Sequence, residues 1–134
     1  MNKKIVLTFA ACSVLLFGFS KKSYSDAELI KAIHKVESGG RTDKKIVGDG
    51  GKAIGPLQIH YAAWKDATDF DKSIGGKYSD CNNLEYSKKI FVAYMNRYAK
   101  GKDAETKARI WNGGIAGADS GSTKKYWAKV KANL

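Results

Sequence analysis

Apolar residues fall at helical spacing in the stretch Asp26 to Ser38, where Leu29, Ile30, Ile33 and Val36 share one side. Gly39-Gly40 marks the end of that helix. Between Lys45 and Ile54 the spacing shortens to two brief apolar stretches around Gly48-Asp49-Gly50-Gly51, the pattern of a small β-hairpin. Pro56 through Asp66 reads as a turn and a short helix, and a Gly- and Asp-rich stretch follows to about Asn82. Asn82-Asn83-Leu84-Glu85 has the form of a capping box, ahead of a helix striped with Ile90, Phe91, Tyr94 and Tyr98. Asp103 caps a further helix that ends at Asn112-Gly113-Gly114, and Ser122 or Thr123 opens the last, with Trp127, Val130 and Leu134 on one side. The expected fold class is α+β: one mostly helical domain with a single small hairpin.

The first 25 residues follow a different pattern. Lys3 and Lys4 precede an apolar run from Ile5 to Phe19, and Ser23-Tyr24-Ser25 fits a small-residue cleavage site. The run is shorter than the roughly 20 apolar residues of a spanning helix. Residues 1–25 are therefore expected to be a secretory signal and 26–134 the working domain. Phe9-Ala10-Ala11-Cys12 faintly resembles a lipoprotein site, but a cut there would leave Val14 to Phe19 exposed on the product.

Composition then narrows the classes. At 43% hydrophobic and 28% charged residues the chain is no disordered polyelectrolyte, and with one proline it is not fibrous. The formal net charge of +11 calls for a polyanionic neighbour. Removal of residues 1–25 takes four lysines and no acid, leaving +7, and takes Cys12, leaving Cys81 alone. Export to an oxidising compartment with one cysteine means no internal disulfide, and Cys81 is expected to be a buried structural thiol.

Two carboxylates carry candidate chemistry. Glu37 lies i+4 from Ile33 and i+7 from Ile30, on the inward side of the last helical turn. Apolar neighbours and the negative helix end both raise a carboxyl pKa, as a general acid at neutral pH requires. An exposed helix-end glutamate is the plain alternative. Asp49 follows twelve residues later at the Gly-flanked hairpin tip, a polar place where an aspartate stays ionised. Such a pair is the arrangement of glycoside hydrolysis. Asp-Gly is also ordinary hairpin-turn chemistry, and spacing alone leaves both readings open.

Other motifs fall away. Gly48 to Lys52 lacks the spacing of a phosphate loop, His34 and His60 form no metal-ligand cluster, and no Ser-His-Asp elbow occurs. No nucleic-acid motif accompanies the charge. Three tryptophans and an excess of tyrosine over phenylalanine suit sugar stacking and partly buried cores alike.

Three segments in order resemble the lysozyme superfamily: Glu37-Ser38-Gly39-Gly40, Gly55-Pro56-Leu57-Gln58-Ile59 and Ala108-Arg109-Ile110-Trp111-Asn112-Gly113-Gly114. Goose-type lysozymes and soluble lytic transglycosylases carry similar Glu-Ser, Gly-Leu-Met-Gln and Ala-Tyr-Asn motifs. The resemblance is closer to the invertebrate-type, or destabilase, lysozymes, and Tyr94-Met95-Asn96-Arg97-Tyr98 is similar to a further segment of theirs. It implies a lysozyme-like fold, with Glu37 as proton donor and Asp49 as nucleophile or stabiliser. It also implies sugar-binding positions at Gly55, Gln58, Trp64, Tyr94, Trp111, Asn112 and Gly113. The implied reaction is hydrolysis of the β-1,4 bond of peptidoglycan by a secreted or periplasmic enzyme, without cofactor or metal. Its implied partners are glycan strands and anionic envelope polymers, with no nucleic acid and no membrane span once the signal is gone. A lytic transglycosylase, a non-catalytic cell-wall or chitin binder and a cationic membrane-disrupting protein are the alternatives. Two departures stand out: this chain lacks the family's many cysteines, and Trp111 replaces a His or Tyr.

Overall fold

The computed structural model describes residues 21–43 and 45–134. Most of the expected signal, residues 1–20 with Cys12, lies outside them.

The first helix, α1 (Asp26–Ser38), begins at an N-cap whose interactions close in both directions. The Ser25 hydroxyl oxygen accepts the Glu28 N–H at 3.2 Å, and the Ser25 N–H donates to the Glu28 carboxylate at 2.8 Å. The helix ends on Gly39 in the left-handed conformation, φ 69°, which needs no Cβ there. Leu29, Ile30, Ala32 and Ile33 are buried, the face that the apolar spacing predicts.

A three-stranded antiparallel sheet follows, β1 (Val47–Gly48), β2 (Ala53–Ile54) and β3 (Ile59–His60), in the order β1-β2-β3. The expected hairpin is its first pair, with Val47 opposite Ile54. The third strand is an addition: His60 pairs with Ala53 and Ile59 with Ile54. Two-residue strands are too short to leave a period in the sequence, so β3 read as part of a turn.

Helix α2 (Tyr61–Phe70) is longer than the expected short helix and packs against α3 (Leu84–Tyr98). The tie between them is polar as well as apolar. The Tyr98 hydroxyl donates to the Asp66 carboxylate at 2.9 Å, and the Arg97 guanidinium to the Asp66 carbonyl at 2.8 Å. The cap of α3 is shifted by one residue from the expected box. Asn83 accepts the Tyr86 N–H, because Asn82 still belongs to the preceding 3-10 turn (Tyr78–Asn82), where its amide donates to the Ser79 carbonyl. Asp103 caps α4 (Ala104–Gly113) as expected, accepting the Thr106 N–H at 2.9 Å, and α5 (Lys124–Lys131) closes the fold after Thr123.

The core joins α1, α3, α4 and α5, with Leu29, Ile33, Leu57, Ile90, Phe91 and Val130 fully buried at its centre. Cys81 lies in this core, 0% exposed, and burial pushes its thiol up to about 12, so it stays protonated and inert. Its carbonyl accepts the Ser87 hydroxyl at 2.7 Å.

Gly55 approaches that same carbonyl. A Cβ there would stand 1.8 Å from the Cys81 oxygen, and φ is +78°. The obstacle is backbone and has nowhere to yield. Gly55→Ala should therefore cost about 3 kcal/mol or more, read as a loss of melting temperature on the scale of 10 °C or as failure to fold. A near-native melting curve would contradict this packing.

Candidate active site

Glu37 occupies the last turn of α1, where the helix meets α5. Its carboxyl is partly buried and accepts a 2.6 Å hydrogen bond from the hydroxyl of Tyr126. Burial raises the Glu37 pKa, and the Tyr126 hydrogen bond opposes that rise by favouring the charged form. Tyr126 is itself pushed well up, by burial first and by the Glu37 charge second, so it remains a donor. The plain alternative of a solvent-facing helix-end glutamate is thus not the arrangement found.

Ser38, the next residue, fixes the helix end to the following segment. Its hydroxyl lies 2.9 Å from the Pro56 carbonyl and 3.2 Å from the His34 carbonyl, within reach of either as donor. The Glu37-Ser38 pair and the Gly55-Pro56-Leu57-Gln58-Ile59 segment are thereby one unit in space. Gln58 adopts a positive φ of 50°, and its side-chain amide donates back to the Gly55 carbonyl at 2.9 Å. Its carbonyl oxygen lies over Gly48, where a Cβ would come within 1.9 Å of it. The glycine before Asp49 is therefore what lets Gln58 bridge the turn to strand β1.

Asp49 opens the 3-10 turn between β1 and β2 with a φ of +50°, a conformation that aspartate tolerates better than most residues. Its side chain is 63% exposed, in contrast to that of Glu37, and one oxygen lies 3.4 Å from His60 Nε2 on β3. His60 carried no signal beyond the absence of a metal cluster. It gains meaning only through the third strand, which sets it beside the hairpin.

Gln58, His60, Tyr94, Trp111, Asn112 and Gly114 line one cleft of about 270 Å³. Four of the expected binding residues are thus brought together there, with Tyr94 and Trp111 forming an aromatic wall. Their rings meet edge to face at 5.9 Å, and Trp111 also packs on Phe91 at 4.8 Å. The other three are placed differently. Trp64 directs its indole N–H to the Tyr86 hydroxyl at 3.0 Å and packs on Tyr61 and Tyr78. Gly55 is committed to the Cys81 carbonyl, and Gly113 faces Thr123, whose methyl would be 2.6 Å from a Cβ. These three make packing contacts, and Gly114 is the glycine of its segment that lines the cleft.

The chain matches two bivalve proteins over most of its length. Over 110 residues it is 34% identical to Lysozyme 1 of Crassostrea virginica, covering 78% of this chain and 58% of the oyster protein. It is also 32% identical over 107 residues to the lysozyme of Meretrix lusoria, which it covers to 84%. It belongs to the invertebrate-type lysozymes. The crystal structure of Tapes japonica lysozyme superimposes with a TM-score of 0.67 at 28% identity, over 82% of this chain and 93% of that one. No protein-family model matches the chain. Within this lysozyme family the Ser38–Pro56 contact joins two of the segments that carried the resemblance, and the aromatic wall joins the other two through Tyr94 and Trp111. Arg109, in the same segment as Trp111, donates to Thr123 Oγ1 at 3.0 Å and to the Ser120 carbonyl at 2.9 Å and so holds the turns that follow α4.

The residue that sequence reading missed is Tyr126, 89 positions from its partner and indistinguishable by pattern from any core tyrosine. Tyr126→Phe removes the hydrogen bond that favours the charged Glu37, so the Glu37 pKa should rise further. If Glu37 acts as an acid, the alkaline limb of a pH–activity profile should move to higher pH in this variant. An unmoved or lowered limb would contradict the assignment.

Proposed function

We propose that the protein is a muramidase, hydrolysing the β-1,4 bond between N-acetylmuramic acid and N-acetylglucosamine in peptidoglycan. The observation that carries this reading is the contrast between two carboxylates. Glu37 is shielded and raised in pKa, while Asp49 stands in solvent on the turn beside the cleft. One protonated and one ionised carboxyl are what glycosidic cleavage needs. This division of roles is the one the lysozyme family implies.

In this mechanism Glu37 donates its proton to the glycosidic oxygen as the bond to the anomeric carbon breaks. Asp49 stabilises or captures the positive charge that develops there. Glu37, now a carboxylate, takes a proton from the water that attacks the same carbon, and both groups return to their starting states. Tyr126 limits how far the Glu37 pKa climbs, which keeps the return step open. Gln58, Asn112 and the aromatic wall of Tyr94 and Trp111 position the sugar.

Glu37→Gln should lower release of soluble fragments from purified peptidoglycan by about a thousandfold or more, with the melting curve preserved. Asp49→Asn should lower it by about a hundredfold. Products of the native protein should carry reducing ends, seen by mass spectrometry. Products ending in 1,6-anhydro sugars would make it a transglycosylase, and full activity of Glu37→Gln would end the assignment.

The N-terminal segment acts in this reading as a secretory leader, so the enzyme works in the periplasm or outside the cell. Its excess of basic residues favours anionic envelope polymers as neighbours of the substrate. Activity on whole walls should accordingly fall several-fold between about 10 and 300 mM salt. A flat salt response would remove electrostatic capture from the account.

A further inference from the structure

From Gln58 to Ala63 the chain forms one edge of the cleft, with Gln58, Ile59, His60, Ala62 and Ala63 in its wall. Tyr61 interrupts that run. It is the first residue of α2 and follows the N-cap His60, so its Cα stands one peptide step, about 3.8 Å, from those of two wall residues. Its side chain is thereby set at the margin of the cleft, outside the wall itself.

Tyr61 is 56% exposed, so the fold gains little by burying it. An exposed aromatic alone is ordinary on a protein surface. This one differs in what lies beneath it. Its ring meets Trp64 at 5.3 Å and Tyr78 at 5.4 Å, the second at 86° and edge to face, and those two rings meet each other at 6.0 Å. Both supporting rings are pinned. The Tyr78 hydroxyl donates to the Ile59 carbonyl at 2.7 Å, on the strand that carries His60. The Trp64 indole N–H donates to the Tyr86 hydroxyl, which donates in turn to the Gly75 carbonyl at 2.7 Å. Tyr61 thus rests on a fixed base, and ordering its short side chain on a ligand costs little entropy.

Its polar tip is also unspent. The hydroxyls of Tyr78, Tyr86, Tyr98 and Tyr126 each donate to a protein acceptor, whereas that of Tyr61 has no partner among the described residues. A pyranose ring offers an apolar C–H face bordered by hydroxyls, which complements an open ring with a free phenolic tip. A glycan longer than the cleft must run out past one of its margins.

We propose that Tyr61 is a stacking platform for a sugar of the same glycan strand, one that lies beyond the cleft. This rests on the muramidase reading above and extends it. The platform adds affinity without touching the scissile bond. It therefore holds ground state and transition state alike and acts on KM, leaving kcat to Glu37 and Asp49.

The test compares the native protein with Tyr61→Ala and Tyr61→Leu on peptidoglycan glycan oligomers of increasing length. Both variants should raise KM for the longest oligomers about threefold to tenfold at constant kcat. The effect should grow with length and be smallest on oligomers that end inside the cleft. Tyr61→Trp, which keeps a ring with a polar edge, should restore the native length dependence. An equal loss at every length, a loss confined to kcat, or native kinetics in Tyr61→Ala overturns the platform. Altered self-association with unchanged glycan affinity would assign Tyr61 to a second copy of the chain and overturns it as well. If the native protein cleaves no oligomer, the muramidase reading fails, and the Kd of the same oligomers, read by tryptophan fluorescence, judges the platform separately. Weaker binding of long oligomers by Tyr61→Ala then upholds it, and equal or absent binding overturns it.

Discussion

The hydroxyl that Tyr126 donates to Glu37 joins the two ends of the fold, one on α1 and one on α5. The bond depends on the hydrophobic packing around it, because a carboxyl left in bulk water would find other partners. It also opposes that packing chemically: burial drives the carboxyl toward its neutral form, and the tyrosine pulls it back toward the charged one. An acid that must both give and recover a proton benefits from such opposition, since neither state is held too firmly. Ser38 fixes the helix end to Pro56, Gln58 reaches back over Gly48, and the β1–β2 turn sets out Asp49.

Much of this was legible from local chemistry. Glu37 declared itself by lying on the same helical side as Ile30 and Ile33, and Gly39 and Asp103 marked helix ends because φ preference and side-chain capping act within a few residues. What was not legible depends on contacts between residues far apart in sequence. Tyr126 has no local mark of its partner, and His60 becomes a neighbour of Asp49 only once β3 pairs with β2. The one-residue error in the α3 cap has a similar origin. Asn82 and Asn83 are equal candidates until the 3-10 turn Tyr78–Asn82 takes up the first of them.

The three expected binding residues that lie elsewhere illustrate why a motif does not separate packing from recognition. Gly55 and Gly113 tolerate no Cβ because of Cys81 and Thr123, and Trp64 holds the Gly-rich stretch through Tyr86, whose hydroxyl in turn donates to the Gly75 carbonyl. The family resemblance located the segments, and the side-chain contacts distinguish which members face the cleft.

Cys81 sits fully buried in the core, its sulfur protonated and out of reach of solvent. The cysteine-rich scaffold that the family resemblance implies is missing here, and the described part of this chain is held by side-chain burial and by polar ties such as Tyr98 to Asp66. Its stability is therefore uncoupled from the redox poise of its surroundings. The described fold needs neither an oxidising catalyst to form nor an oxidising medium to persist, and a reductant that would dismantle a cross-linked relative has no bond here to break.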